Sequence, residues 1–257
     1  MDNDLFSNIK IVDINENNIE KYDICIMKDK KNPGYQAKVN WIKKRFKEGL
    51  RIKRIIDASD NATSYIEYIP IENAWRAIKG ENYLFVHCIY TYPKKNQNSG
   101  YMSLLIKECI KDAKIQSKNG VAVITTKKPF MADERVFEKN GFKIIENKSE
   151  YQLLVYELNQ GKYPIINNFV QEQAKLKGLH LFYTDQCPAL AKPVQEIQET
   201  CQEKGINLNI HYVKSAKEVQ NSPFISGSFG IIYNNKILAE RCISNTRFLN
   251  ILKEHKF

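Results

Sequence analysis

The stretch from Tyr83 to Gly120 constrains this chain more than any other, because it joins a strand, a loop and a helix in one short span. Tyr83 to Tyr92 is an apolar, aromatic and β-branched run that fits a buried strand, and Pro93 ends it. A basic loop from Lys94 to Ser99 leads to Gly100. From there to Ser117, Leu104, Leu105, Cys109, Ile110 and Ala113 fall on one helical face. Lys118-Asn119-Gly120 closes this helix, and Val121 to Thr125 is short and β-branched enough to be a buried strand. A strand, a helical crossover and a strand predict a parallel pair. At the centre lies Gln97-Asn98-Ser99-Gly100-Tyr101-Met102. Backbone N–H groups opening a helix there make a site for phosphate oxygens, which points to a nucleotide-like ligand.

The flanks read as a mixed sheet. Ile9 to Ile14 is an opening strand, Ile19 to Lys28 a first helix, and Tyr35 to Glu48 a basic amphipathic helix closed by Gly49. Arg51 to Asp57 and Thr63 to Ile71 flank the turn signal Ser59-Asp60-Asn61, so a hairpin is expected. After the central strand and helix, Ala132 to Lys139 is helical and capped by Gly141. Phe142 to Ile145 and Tyr151 to Leu158 then form a closing hairpin.

Beyond Leu158 the texture changes at the turn Asn159-Gln160-Gly161-Lys162, which puts a boundary near residue 160 between domains 1–158 and 159–257. Pro164 to about Lys177 reads as a polar helix. Leu179 to Thr184 is a strand, Ala189 to Lys204 a helix, and Leu208 to Val213 a strand. Phe229 to Arg241 is a hairpin around Asn234-Asn235, and Arg247 to Glu254 is a helix. The fold class is therefore α/β (α+β): a mixed-sheet domain followed by a small βαβ-ββα domain that is thioredoxin-like.

Charge and cysteine usage narrow the partners. The formal net charge is +10, but the lysines are scattered instead of gathered in an arm or on one helix face, so no nucleic-acid partner is expected. No apolar run reaches membrane-spanning length and Met1-Asp2-Asn3-Asp4 does not begin a secretory signal. No membrane partner and a cytoplasmic location follow as expectations. The six cysteines show no Cys-x-x-Cys pair or zinc spacing, so no metal is expected. Cys187 alone has a suggestive setting, after a strand and at a helix start, where a thiol can function. Leu190 stands where a resolving cysteine would follow, which argues against dithiol chemistry and leaves a monothiol, structural or binding role.

The order of elements and two motifs resemble the GCN5-related N-acetyltransferases (GNAT). Gln97 and Gly100 match the family's Gln/Arg-x-x-Gly-x-Gly/Ala signature, with Met102 at the last, usually small position. Val136-Phe137-Glu138-Lys139-Asn140-Gly141-Phe142 is similar to its Tyr-Glu-Lys-x-Gly-Phe segment. The second half resembles the C-terminal domain that names the YoaP-like acetyltransferases, with Ser222-Pro223-Phe224 at the position of the thioredoxin fold's cis-proline.

The resemblance implies an acetyl-CoA-dependent N-acetyltransferase, in which an amine attacks the thioester directly. It places the pantetheine arm along the backbone of Ile89, Tyr90 and Thr91, and the pyrophosphate on amides of Gln97, Asn98, Ser99, Gly100, Tyr101 and Met102. The expected partners are acetyl-CoA and a small-molecule amine, with protein lysine as the less favoured acceptor and the oligomeric state open.

For the general base, His87 has a suitable pKa range and Glu67 lies amid aromatic and aliphatic residues. A histidine satisfied within the sheet and a carboxylate on an exposed polar face are the plain alternatives. The family's proton-donating tyrosine is replaced by Phe137, leaving Tyr101 or water. Trp75-Arg76 is a candidate clamp for an acidic acceptor. A thiol-dependent redox or acyl-CoA-sensing protein using Cys187 is the alternative function.

Overall fold

The computed structural model describes residues 8–22, 24–25, 27, 29–93, 96–128, 131–167 and 176–257. The chain divides into two compact units. The first gathers residues 1–26, 43–74 and 79–166, and the second 27–42, 75–78 and 167–257. Two short excursions, 27–42 and 75–78, thus belong to the second unit although they lie early in the sequence.

In chain order up to the second unit's main body, the elements are β1 (Ile9–Ile14), α1 (Pro33–Phe46), β2 (Arg51–Asp57), β3 (Ala62–Pro70), the two-residue strand β4 (Ile78–Lys79) and β5 (Tyr83–Thr91). They continue with α2 (Tyr101–Ile115), β6 (Gly120–Thr125), α3 (Glu134–Glu138), β7 (Lys143–Lys148), β8 (Tyr151–Glu157) and the two-residue β9 (Ile165–Ile166). Seven strands form one sheet in the order β1-β2-β3-β5-β6-β8-β7. β5 and β6 pair in parallel and the other neighbours are antiparallel, as a strand–helix–strand crossover requires.

Helix α2 lies on one face of this sheet. Its Leu105, Ile106, Cys109, Ile110 and Ala113 join Ile55, Ile66, Leu84, Val86, Val121, Val123 and Leu154 in one buried core. Each fully buried aliphatic side chain contributes roughly 1.5–3 kcal/mol. A polar cluster sits at the same helix–sheet seam. Lys53 Nζ is 2.9 Å from Asp13 Oδ1 and 3.6 Å from Asp112 Oδ2. Asp112 also pairs with Arg51 at 3.0 Å and accepts a hydrogen bond from the Tyr68 hydroxyl. Burial lowers the Lys53 pKa, but the hydrogen bond to Asp13 and the charges of Asp112, Asp13 and Glu108 outweigh it and hold the ammonium above its usual range.

The expected helix from Ile19 to Lys28 is not formed. Residues 16–21 are turns, Ile24 and Met27 are isolated bridge residues, and 23, 26 and 28 lie outside the described residues. The cause is local competition by asparagine side chains: Asn18 Oδ1 accepts the Asn15 N–H at 2.8 Å, and Asn15 Oδ1 accepts the Asn17 N–H at 2.9 Å. Such bonds favour turns over helix. The helix expected over Ala132–Lys139 shortens to Glu134–Glu138 because the Asp133 side chain caps it, accepting from Arg135 N.

The second unit contains β10 (Leu179–Tyr183), α4 (Ala191–Glu203), β11 (Leu208–Tyr212), α5 (Ala216–Gln220), β12 (Phe229–Tyr233), β13 (Lys236–Ala239) and α6 (Asn245–Glu254). Its sheet order is β11-β10-β12-β13, with β10 and β11 parallel and the others antiparallel. The βαβ and ββα sequence of elements expected here is present. Asn234 and Asn235 both have positive φ, at 44° and 71°, and close a two-residue hairpin between Tyr233 and Lys236.

The core of this unit is built from Leu179, Leu181, Val194, Ile197, Phe229, Ile231, Phe248 and Leu252. Trp41 and Trp75, from the two excursions, meet edge to face at 5.2 Å. Short α5, capped by Ser215, escaped the sequence reading. Most of the polar helix expected from Pro164 falls on residues 168–175, outside the described residues, and Ile165–Ile166 is strand.

Candidate active site

The site begins where β5 and β6 part. Their parallel ladder runs from Tyr83↔Gly120 to Val86↔Val123 and stops. Beyond it β5 continues to Thr91 on β3, and β6 continues to Thr125 on β8. The two middle strands therefore diverge, and residues 87–91 have no ladder to β6. Ile89, Tyr90 and Thr91, the backbone expected to meet a pantetheine arm, lie on this segment. Backbone groups on such an edge are ready partners for an extended amide-bearing chain.

At the same point β5 carries an irregularity. Glu67 pairs with Cys88 and Tyr68 with Val86, so His87 is an extra residue on its strand. The structure brings His87 and Glu67 together: His87 Nδ1 is 3.3 Å from Glu67 Oε1, with both side chains almost wholly buried. Neither is on an exposed polar face. Tyr65, two residues before Glu67 on the same strand face, donates its hydroxyl to Glu67 Oε2 at 2.5 Å.

Tyr65 stacks on Tyr90 at 5.3 Å between ring centroids. The Tyr90 hydroxyl accepts from Arg54 Nη1 at 3.1 Å and donates to the Cys25 carbonyl. The Arg54 guanidinium stands 5.5 Å from the Tyr65 ring centroid. Burial, followed by the charge of Glu67, pushes the Tyr65 hydroxyl well above the usual phenol range. Burial does the same to Tyr90 against the opposing charge of Arg54. Both hydroxyls stay protonated and act as hydrogen-bonding groups. Tyr65 and Arg54 were missed in the sequence. Tyr65-Ile66-Glu67 carries the period-2 signal that puts Tyr65 beside Glu67, but nothing local marks the contact with His87.

The helix opening lies at the other end of this edge. Gly100 precedes α2 with φ 81°, a left-handed conformation suited to glycine, and no side chain caps the helix. Gly100, having no side chain, offers no cap oxygen to the first-turn amides of α2. Gln97, Asn98 and Gly100 are exposed and Ser99 half-buried, while residues 94 and 95 of the loop lie outside the described residues. Tyr101 and Met102 are half-buried and pack against the α2 core, so Met102 occupies apolar space. Ser99 Oγ donates to the Asn96 carbonyl at 2.6 Å.

Phe137 is fully buried and packs edge to face on Phe142 at 5.2 Å. It serves the core, and its ring has no proton to give. Lys107, Lys111 and Lys114, spaced along one face of α2, line a cavity of about 490 Å³ with Lys139 and Asn140. Their spacing by four and three residues was the overlooked signal. Asn140 Nδ2 bonds Ser103 Oγ at 3.0 Å and the Val136 carbonyl at 2.7 Å, tying α3 to the first turn of α2.

In the second unit Cys187 precedes a 3₁₀ turn, Pro188–Leu190, that runs into α4. Its thiol is half-buried. Arg76, assigned to this unit, is buried and donates to the Trp75 carbonyl at 2.7 Å and to the Gln186 side chain. Trp75 is fully buried, so the pair is part of this unit's framework and no exposed clamp. The cis peptide among the described residues precedes Pro93; the bond before Pro223 is not cis.

The mixed sheet opens between its two parallel strands, with a glycine-led helix following the opening, as the resemblance drawn from the sequence leads one to expect. Over nearly its whole length the chain is similar to the uncharacterized N-acetyltransferase YoaP of Bacillus subtilis (strain 168), with 28% identity over 250 residues, covering 94% of this chain and 97% of the relative. No family model matches. Among solved structures, an acetyltransferase of the GNAT family from Staphylococcus aureus Mu50 is 18% identical with a TM-score of 0.45, covering 59% of this chain and 99% of that one. A spermidine N-acetyltransferase variant from Vibrio cholerae is 12% identical with a TM-score of 0.42, covering 59% and 94%. The relative that matches over nearly the whole chain is thus named as an N-acetyltransferase. Among the described residues no helix is long and apolar enough to cross a membrane.

Proposed function

We propose that the chain transfers an acetyl group from acetyl-CoA to a primary amine of a small acceptor by direct attack. One observation carries this reading: where β5 leaves β6 after Val86, its backbone from 87 to 91 has no ladder to β6, the buried His87–Glu67 pair lies on that same stretch, and the chain then runs through Gly100 into α2. The pantetheine arm would lie along the backbone of Ile89, Tyr90 and Thr91. The pyrophosphate would take amides from Gln97 to Met102, where the helix dipole favours negative charge.

The amine must reach the thioester carbonyl neutral. His87, supported by Glu67, takes the proton as the nitrogen–carbon bond forms. Backbone N–H groups of the β5 edge stabilise the oxyanion, the carbon–sulfur bond breaks, and the thiolate takes a proton from Tyr101 or water. The products are an amide and CoA. The second unit is read as a thioredoxin-like domain on its strand order, with Cys187 at the helix start as its possible thiol.

The test is a thermal melt with and without acetyl-CoA, followed by CoA release across an amine panel. Acetyl-CoA at about a hundred times its dissociation constant should stabilise the fold by roughly 2.7 kcal/mol. A melting curve unmoved by millimolar acetyl-CoA would overturn the reading. Unchanged turnover in Cys187→Ser would leave that thiol without a catalytic part.

A further inference from the structure

We infer that Tyr65 is a positioning residue, whose hydroxyl holds the Glu67 carboxylate so that it fixes His87 with Nδ1 protonated and Nε2 as the basic nitrogen. The inference rests on the reading of His87 as the base and adds the means by which one ring nitrogen is selected.

Glu67 has two oxygens, and the structure gives each a different neighbour. Oε2 receives the Tyr65 hydroxyl at 2.5 Å, and Oε1 stands 3.3 Å from His87 Nδ1. A carboxylate beside one imidazole nitrogen favours the proton there and leaves the lone pair on the other. For this to work the carboxylate must not rotate, and Tyr65 supplies the restraint. Its ring is pinned by the stacked Tyr90 and by Arg54, whose guanidinium also bonds the Tyr90 hydroxyl. Tyr65 itself is 1% exposed, so water does not compete for its hydroxyl. The chain Tyr65–Glu67–His87 runs across β3 and β5 on the face opposite α2, because Ile66 and Tyr68 turn the other way into the α2 core.

The test reads the ring nitrogens directly in the free protein, without turnover. With ¹⁵N-labelled histidine, the long-range ¹H–¹⁵N spectrum at alkaline pH reports the tautomer of each of the four histidines, and His87→Gln assigns the signal. Wild-type His87 is expected in the Nδ1–H form by at least about tenfold, equivalent to roughly 1.4 kcal/mol. Tyr65→Phe, which keeps the ring and removes the hydroxyl, should average the two nitrogen shifts toward those of free imidazole. A wild-type His87 protonated on Nε2, or a Tyr65→Phe spectrum identical to wild type, would overturn the inference.

Should Tyr65→Phe fail to fold, the Tyr65 hydroxyl proton in wild type gives a second readout. It should appear far downfield and vanish in Glu67→Gln, and its absence in wild type would count against the inference. If the spectra behave as expected while His87→Ala retains full turnover, the positioning holds and the assignment of the base fails.

Discussion

Glu67 Oε1 and His87 Nδ1 lie 3.3 Å apart, although the residues sit on neighbouring strands and are twenty positions apart in sequence. They meet because β5 carries one extra residue at His87 opposite the Glu67–Tyr68 step. If this pair moves the acceptor's proton, His87→Ala should lower kcat by about 10²- to 10⁴-fold. The melting shift given by acetyl-CoA should stay as in wild type. CoA release and thermal melts on one preparation check both halves of the prediction.

Gly100 holds φ at 81° where α2 begins. Gly100→Ala puts a side chain into that left-handed conformation and should cost about 1 kcal/mol of stability. Readjustment of the loop should also weaken acetyl-CoA binding, read by calorimetry, with the His87 signals unmoved. A variant with wild-type affinity would remove this loop from the CoA site.

Asp112 faces the Lys53 ammonium at 3.6 Å, the Arg51 guanidinium at 3.0 Å and the Tyr68 hydroxyl at once. Asp112→Ala leaves the buried Tyr68 hydroxyl without this acceptor while Lys53 keeps Asp13 at 2.9 Å, and should cost roughly 1–3 kcal/mol in urea unfolding. The pH dependence has a definite sign. Since the folded Lys53 pKa is raised, its stabilising contribution is complete below the unfolded value near 10.5 and is lost as pH rises through the folded value. Unfolding titrations at strongly alkaline pH should show the loss in wild type and not in Lys53→Met.

Gly34 opens α1 within the second unit, and a Cβ there would come within 2.1 Å of the Pro188 carbonyl oxygen. Gly34→Ala should therefore destabilise that unit by about 1–3 kcal/mol. Hydrogen exchange at β10 and β12 reads the effect. Unchanged protection there would show that the early excursion is not integral to the unit.

Local pattern was enough for most elements. The run Tyr83–Tyr92, the helix face of Leu105, Cys109, Ile110 and Ala113 and the β-branched strand at Val121 each carry a clear period, and a strand–helix–strand order admits a parallel pair almost alone. Asn234-Asn235 announced its hairpin because both residues tolerate positive φ. The failures were equally physical. Ile19–Lys28 has helical spacing, but asparagine side chains captured its entry, and Pro223 sits at a cis-proline position without a cis bond. The sequence placed the domain boundary near residue 160. The contacts put 167–257 in one unit together with 27–42 and 75–78, a grouping that no linear reading of composition contains.

For the candidate site, the sequence alone named the stretch and the residues proposed to carry chemistry: His87, Glu67 and the amides around Gly100. Those follow from residue type, spacing and motif. Only the tertiary structure decided that His87 and Glu67 form one buried pair, that Tyr65 holds its second oxygen, and that Arg76 belongs to a framework. Strand register sets these contacts, and one extra residue in a ladder changes which side chains meet. Such an irregularity is fixed by pairing between distant segments, and it leaves no mark in the local pattern of either strand.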